Sequence, residues 1–292
     1  MAGMLLLEAV LCLFVGRSLP LSAALFATTA LLLLGGCLWW VARRLFGTRG
    51  GYTALGFFVF SPLVRAAVYC HWQDLLAAVG LFGGVYTCIG VAHAMQGPIR
   101  KWPPRLILLT AAFTVTAFMH PVAFVLMALL GLGLMCWVAE FRRGMVMLLG
   151  FAAFSFAALL GMLVHAVLPG IFGGALSWPR LGWFALGDLF YTYAWTSLVL
   201  IFVLVLVLLA IDHRARYFGN LAPLLCAAVL LGLEFPTAPG MGALWATPFL
   251  LTGAAGVLAD GYELKRGRVV ECVALYGVVC GIVTDLLHWW KG

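Results

Sequence analysis

Residues 21–50 read LSAALFATTALLLLGGCLWWVARRLFGTRG. No charged side chain occurs between Leu21 and Ala42, a length that matches the ~20 apolar residues needed to cross a bilayer as a helix. Arg43, Arg44 and Arg49 then close the run. This unit of apolar segment and polar or basic stop recurs along the chain, with apolar segments near 4–16, 21–42, 51–69, 72–95, 106–118, 121–139, 145–168, 190–211, 221–235, 241–259 and 269–290. The sequence therefore predicts an all-α, polytopic transmembrane helical bundle of about ten or eleven spans. The first segment is short and contains Glu8, so it is a short or partial span; it lacks the basic lead and small-residue cleavage site of a signal peptide.

Composition agrees with this reading. Of 292 residues, 65% are hydrophobic and only 9% are charged, whereas a water-facing surface needs roughly 25% charged residues. A soluble domain is excluded, and residues 1–292 are expected to form a single transmembrane domain with no segment left for soluble catalysis. The net charge of +7 does not point to nucleic acid, because the basic residues sit in short clusters between apolar runs. Cys12, Cys37, Cys70, Cys88, Cys136, Cys226, Cys272 and Cys280 contain no CxxC pair and read as small packing residues. No cofactor or metal is expected.

Sidedness follows from charge. One set of alternate loops carries Arg43, Arg44 and Arg49, then Arg100, Lys101 and Arg105, then Arg142 and Arg143, then Arg214 and Arg216, then Lys265, Arg266 and Arg268. The opposite set carries only Arg17, Arg65, Arg180 and Lys291. The positive-inside rule makes the first set cytoplasmic, so the C-terminus and the stretch from Pro169 to Leu189 lie outside or in a lumen. Pro103, Pro104, Pro121, Pro169, Pro223, Pro236 and Pro239 are expected at span ends, and Pro62 and Pro248 within spans, as kinks or breaks. Gly35-Gly36, Gly80 and Gly83-Gly84 offer small faces for close helix packing. No internal repeat supports an inverted-repeat transporter.

Ionisable groups at membrane depth are expensive and call for a role. Arg65, His71 and Asp74 fall on an outer turn, with His71 and Asp74 three apart on one helix face. They read either as a headgroup or catalytic pocket, or as a helix cap with an interfacial ion pair to Arg65. His120, His165, Asp188 and Glu234 fall at other outer ends. No HExxH or DxD spacing links these groups. Trp39-Trp40 and Trp289-Trp290 resemble interfacial belt anchors. The aromatic-rich lumenal segment at 169–195, dense from Trp178 to Trp195, reads as either an interfacial segment or a groove for a lipid or partner helix.

Arg17-Ser18-Leu19-Pro20 leads into a span ending Ala42-Arg43-Arg44-Leu45-Phe46-Gly47. A second span ends Phe60-Ser61-Pro62, a third opens at Asp74, and His120-Pro121 turns between two short spans. This order resembles the membrane core of the polyisoprenoid-sugar-dependent glycosyltransferases of the C type. Those enzymes place a catalytic acid in a large lumenal loop after the first span, where this chain has only Arg17-Ser18-Leu19-Pro20. A base must stand beside its substrate, so the departure implies a non-catalytic relative.

The run Trp178-Pro179-Arg180-Leu181-Gly182-Trp183 through Asp188-Leu189-Phe190-Tyr191, the opening Pro236 to Trp245, and Ala259-Asp260-Gly261-Tyr262 before Lys265-Arg266 resemble the class U subunit of the glycosylphosphatidylinositol (GPI) transamidase. Pro239-Gly240-Met241-Gly242-Ala243-Leu244-Trp245 departs from that family's Asn-rich, Phe-rich stretch. The resemblance implies a divergent, shortened endoplasmic reticulum subunit that binds GPI lipid beside other membrane subunits, including a cysteine-protease-like catalytic one. Asp188, Tyr191, Trp195, Met241, Trp245 and His120 are the expected lipid or substrate lining, among membrane lipids and without nucleic acid. Two competing expectations remain: an active C-type glycosyltransferase with Asp74 or Asp188 as base, and a structural subunit of another membrane complex.

Overall fold

The computed structural model describes residues 21–59, 61, 64, 72–140, 142–167, 180–181, 218–235 and 240–263, together with residues 271–272, 275, 279 and 282–283 of the last expected span. The spans expected at 4–16 and 190–211 lie outside these residues, as do Arg65, His71, Asp188, Tyr191 and Trp195. Among the described residues are seven α-helices: α1 (Leu21–Val59), α2 (Trp72–Met95), α3 (Trp102–Met119), α4 (Pro121–Val138), α5 (Arg143–Val167), α6 (Phe218–Leu231) and α7 (Met241–Glu263). Six are long and apolar enough to cross a membrane, and α6 is shorter. Apart from one pair of two-residue strands, the regular structure among the described residues is helical, and the chain is a multi-pass membrane protein. Described positions 271, 272, 275, 279, 282 and 283 are helical and exposed, the spacing of one helix face, within the segment expected to form the last span.

α1 is two helices in one. Gly47 has φ +73° and interrupts the helical backbone, a conformation open to glycine because it has no Cβ. The chain reverses there. The Trp39 and Tyr52 rings lie 6.3 Å apart, and a Cβ on Gly51 would stand 3.2 Å from the Trp39 carbonyl oxygen. The two spans expected on either side of Arg43, Arg44 and Arg49 thus form a tight helical hairpin, with the arginines around its tip. Gly35 faces the Phe58 ring across this hairpin, the close approach anticipated for the Gly35-Gly36 pair.

The chain divides into two compact units, residues 1–75 with 179–292 and residues 76–178. In the first, α7 packs on α6 and on α1. Every residue of its apolar window is buried, against 28% in α5. Small residues allow this: a Cβ on Gly256 would run into Asn220 Oδ1 and the Phe46 ring, and one on Gly242 would stand 2.8 Å from the carbonyl oxygens of Leu230 and Leu233. Close backbone approach replaces the hydrophobic drive that is absent between helices in lipid.

α7 runs through Pro248 without a break. Thr247 and Thr252 donate their hydroxyls to the carbonyls of Ala243 and Pro248 at 2.8 and 2.7 Å, so both buried hydroxyls are satisfied within the helix. Pro223, expected at a span end, lies inside α6 instead. That helix begins earlier than its apolar run, because Phe218, Gly219 and Asn220 are drawn into it by packing against α7.

In the second unit α3 packs on α5 and α4, and α4 on α5. The Phe113, Phe124 and Phe154 rings form its aromatic centre, with Phe124 and Phe154 stacked at 4.9 Å. Gly80 lies against Thr116, Gly84 against Met127 and Gly131 against Cys88. Pro103 and Pro104 open α3, and Pro121 opens α4, where a helix does not need the missing N–H. The outer face of α5 exposes Leu148, Phe151, Phe156, Leu159 and Leu163, an apolar surface suited to hydrocarbon and not to water.

Replacing Gly256 or Gly242 with Ala is expected to lower stability by about 1–3 kcal/mol, the cost typical of overpacking. Gly90→Ala, where a Cβ meets nothing within 4 Å, should be neutral or slightly stabilising. Thermal unfolding in detergent, followed by labelling of the buried thiols Cys88 and Cys226, measures both. Equal melting temperatures for all three variants would contradict the close-packing account.

Candidate functional site

The two ends of the first unit differ in chemistry. At one end stand the α1 tip, the start of α6 and the close of α7. Arg49 lies over the Tyr262 ring at 4.2 Å, and Asn220 Nδ2 donates to Asp260 Oδ2 at 2.7 Å. Asn220 is fully buried, so this charge-assisted bond is of the stronger kind. Of the basic clusters that flank these elements in sequence, the one at 43–49 lies among the described residues. In the second unit the two basic connections meet: Arg142 donates to the Gly97 carbonyl at 3.3 Å and lies over the Trp102 ring at 5.5 Å.

The opposite end of the first unit gathers segments distant in sequence. Gly240, at φ +83°, turns the chain into α7, and its carbonyl accepts from the Leu244 N–H at 3.0 Å. One turn further, the fully buried Trp245 meets the Phe235 ring edge to face at 5.2 Å. Its indole N–H donates to the main-chain carbonyl of Asp74 at 3.1 Å. Asp74 occupies the first turn of α2, half-buried, where the helix dipole favours an ionised carboxylate. β1 (Arg180–Leu181) pairs antiparallel with β2 (Leu233–Glu234), which sets Arg180 opposite Glu234. Asp74, Glu234, Arg180 and the opening of α7 are thereby brought to one end, the end opposite the basic turns.

Of the expected lining residues, Met241 and Trp245 come together on the first turns of α7, and both are buried in protein. Trp245 is engaged on its ring and on its N–H, so it braces Asp74. His120 lies in the second unit, where it caps α4: its Nδ1 accepts from the Ala123 N–H at 3.3 Å. Burial pushes the His120 imidazole below its ordinary value. Asp188, Tyr191 and Trp195 are outside the described residues. Sequence reasoning missed the Trp245–Asp74 and Asn220–Asp260 bonds. The only signal for the second was a polar Asn beside an apolar run; the first is made by a backbone carbonyl 171 residues away and leaves no trace in the pattern.

The fold has a known counterpart. ArnT from Cupriavidus metallidurans superposes with a TM-score of 0.55 at 16% identity, over 80% of this chain and 44% of that one. The chain shares the polytopic helical membrane fold of ArnT, and it spans less than half the length of that counterpart. Neither a protein-family model nor a curated protein matches the sequence.

Two outcomes test the site. Trp245→Phe removes the donor and shrinks a fully buried ring, so it should cost about 2 kcal/mol or more of stability from the lost bond and the cavity together, read as a lower midpoint in thermal unfolding. For His120, a folded-state value below the unfolded one means the unfolded chain binds more protons as pH falls. Stability is therefore complete above about 6.5, the unperturbed imidazole value, and declines below it until the folded-state imidazole also charges. Protonated Nδ1 can no longer accept from Ala123. His120→Asn, which caps without titrating, should flatten the melting temperature between about pH 7 and 5; an unchanged slope would remove His120 as its cause.

Proposed function

We propose that this protein is a membrane glycosyltransferase of the C type that takes its sugar from a lipid-linked donor. The observation that carries the reading is the C-type fold, and the position of Asp74 gives that fold a base. The carboxylate belongs to the first turn of α2, at the end opposite the α1 tip with Arg43, Arg44 and Arg49. Its backbone is held by a buried tryptophan from another segment, the kind of fixed support a reacting group needs. In the proposed step Asp74 takes the proton of an acceptor hydroxyl. The hydroxyl oxygen bonds to the anomeric carbon, and the bond from that carbon to the lipid phosphate breaks, the electron pair leaving on the phosphate. The exposed apolar helix faces supply a lipid-facing wall for the donor's chain.

A second reading keeps the fold and drops the chemistry: a non-catalytic class U subunit of the GPI transamidase in the endoplasmic reticulum membrane. It is supported by the absence of an acid in Arg17-Ser18-Leu19-Pro20 and by the runs at Pro236 to Trp245 and Ala259 to Tyr262. In that reading the Trp245 end meets GPI lipid, and a cysteine-protease-like partner performs the cut.

The readings separate in one assay. Full-length protein in vesicles containing a polyisoprenyl-phosphate sugar should transfer it to a hydroxyl acceptor, and Asp74→Asn should reduce the rate by about 10²-fold or more, the contribution typical of a general base. The variant retains the main-chain carbonyl that Trp245 uses, so its melting temperature should stay near that of the parent. Full activity in Asp74→Asn would remove Asp74 as base. No transfer by the parent, with a cysteine protease co-purifying in mild detergent, would establish the second reading instead.

A further inference from the structure

At the basic end of the second unit, a cleft of about 730 Å³ opens between the end of α2 and the start of α3. Its volume lies within the ~300–1,000 Å³ range of ligand sites. His93, Pro98, Arg100, Lys101, Pro104 and Arg105 line it, and no carboxylate does. Arg100, Lys101 and Arg105 are exposed, and their side chains make no hydrogen bond or ion pair among the described residues. Their neighbours in the other basic connection are engaged differently: Arg142 is held by Gly97 and Trp102, and Arg143 donates to the Ala139 carbonyl at 2.9 Å. Glu140, the acid of that connection, is exposed and does not line the cleft.

A loop whose charges only orient the chain in the membrane needs no concave arrangement of them. Here three cations converge on one cavity whose walls are stiffened by proline, which fixes φ. The same helix then carries an apolar stripe away from the cleft. Pro104, Leu108, Ala111 and Val115 recur at helical spacing and are all exposed, Leu108 at 49% and Val115 at 47%. Charge at the membrane end and an exposed apolar stripe along a span together match an amphiphile with an anionic head.

We propose that this cleft binds the phosphate headgroup of an anionic glycerophospholipid from the leaflet on the basic side, with an acyl chain lying along Leu108, Ala111 and Val115. Arg100, Lys101 and Arg105 supply the cationic contacts, Arg105 standing where the headgroup region meets the span. The site is independent of sugar transfer and sits at the end of the helices remote from the basic-free turn at His120.

Native mass spectrometry of the full-length protein in neutral detergent, titrated with dioleoyl phosphatidylglycerol or dioleoyl phosphatidylcholine, tests the proposal. Phosphatidylglycerol should bind more tightly. Arg105→Gln should weaken it about fivefold, and Arg100→Gln/Lys101→Gln/Arg105→Gln about a hundredfold, from the contribution of each basic residue near an anionic lipid surface. Because these charges also orient the chain, Arg100→Lys/Arg105→Lys serves as the folding control and should retain most of the binding. Equal affinity for the two lipids, or retention of phosphatidylglycerol by a folded Gln variant, would overturn the proposal. Displacement of the lipid by millimolar inorganic phosphate would also overturn it, in favour of a site for a free anion.

Discussion

Helices that meet in hydrocarbon gain nothing from leaving lipid, so what holds them is contact close enough for dispersion and polar bonds to act. α7 embodies that constraint. Gly242 and Gly256 bring its backbone against α6 and the α1 hairpin at distances no Cβ would allow. Once the helix is enclosed, polar groups near its ends need partners inside the protein, because a buried donor or acceptor left unmatched is costly. Trp245 finds the Asp74 carbonyl at one end, and Asp260 finds Asn220 at the other. Tight packing of one helix thus dictates which distant segments can be brought to each end.

The same constraint explains why irregular backbone is confined. Non-helical main chain is tolerated at membrane depth only when protein covers it or it lines a cavity. The β1–β2 pairing answers this requirement by giving residues 180–181 and 233–234 each other's hydrogen bonds. Gly240 provides the turn that returns the chain to α7. The candidate site is assembled from these irregular pieces, whereas the basic end is closed by helix tips and their side-chain contacts. A reacting centre in this fold is more easily built where separate segments converge.

Hydropathy made the spans legible. The predicted segment at 72–95 coincides with α2, and in the second unit two basic turns meet through Arg142. Which helix lies inside could not be read in the same way. α5 is more apolar than α7, yet α7 is buried throughout and α5 mostly exposed. In water the more apolar helix would be the inner one; in lipid, polarity no longer separates inside from outside, and small residues such as Gly242, Ala246, Gly253 and Gly256 mark the interior instead. Candidate site residues suffered from the same ambiguity. Trp245 stood out as a large aromatic near a span end and was expected to line a groove; the structure buries it in α7 with its indole N–H on the Asp74 carbonyl, a contact the pattern did not show.

That contact bears on how the fold is read for chemistry. Without an acid in Arg17-Ser18-Leu19-Pro20, the resemblance to a glycosyltransferase core suggested a relative that had lost its base. A carboxylate need not occupy a particular loop to serve as a base; it must be ionised, fixed and at the correct end of the membrane. Asp74 has a helix N-terminus to favour its charge and a buried indole to hold its backbone, and it lies opposite the basic turns. In the proposed reading the missing loop acid is weaker grounds for inactivity than the sequence alone suggested, and Asp74, held through its main-chain carbonyl, is the group on which the distinction between enzyme and binding subunit turns.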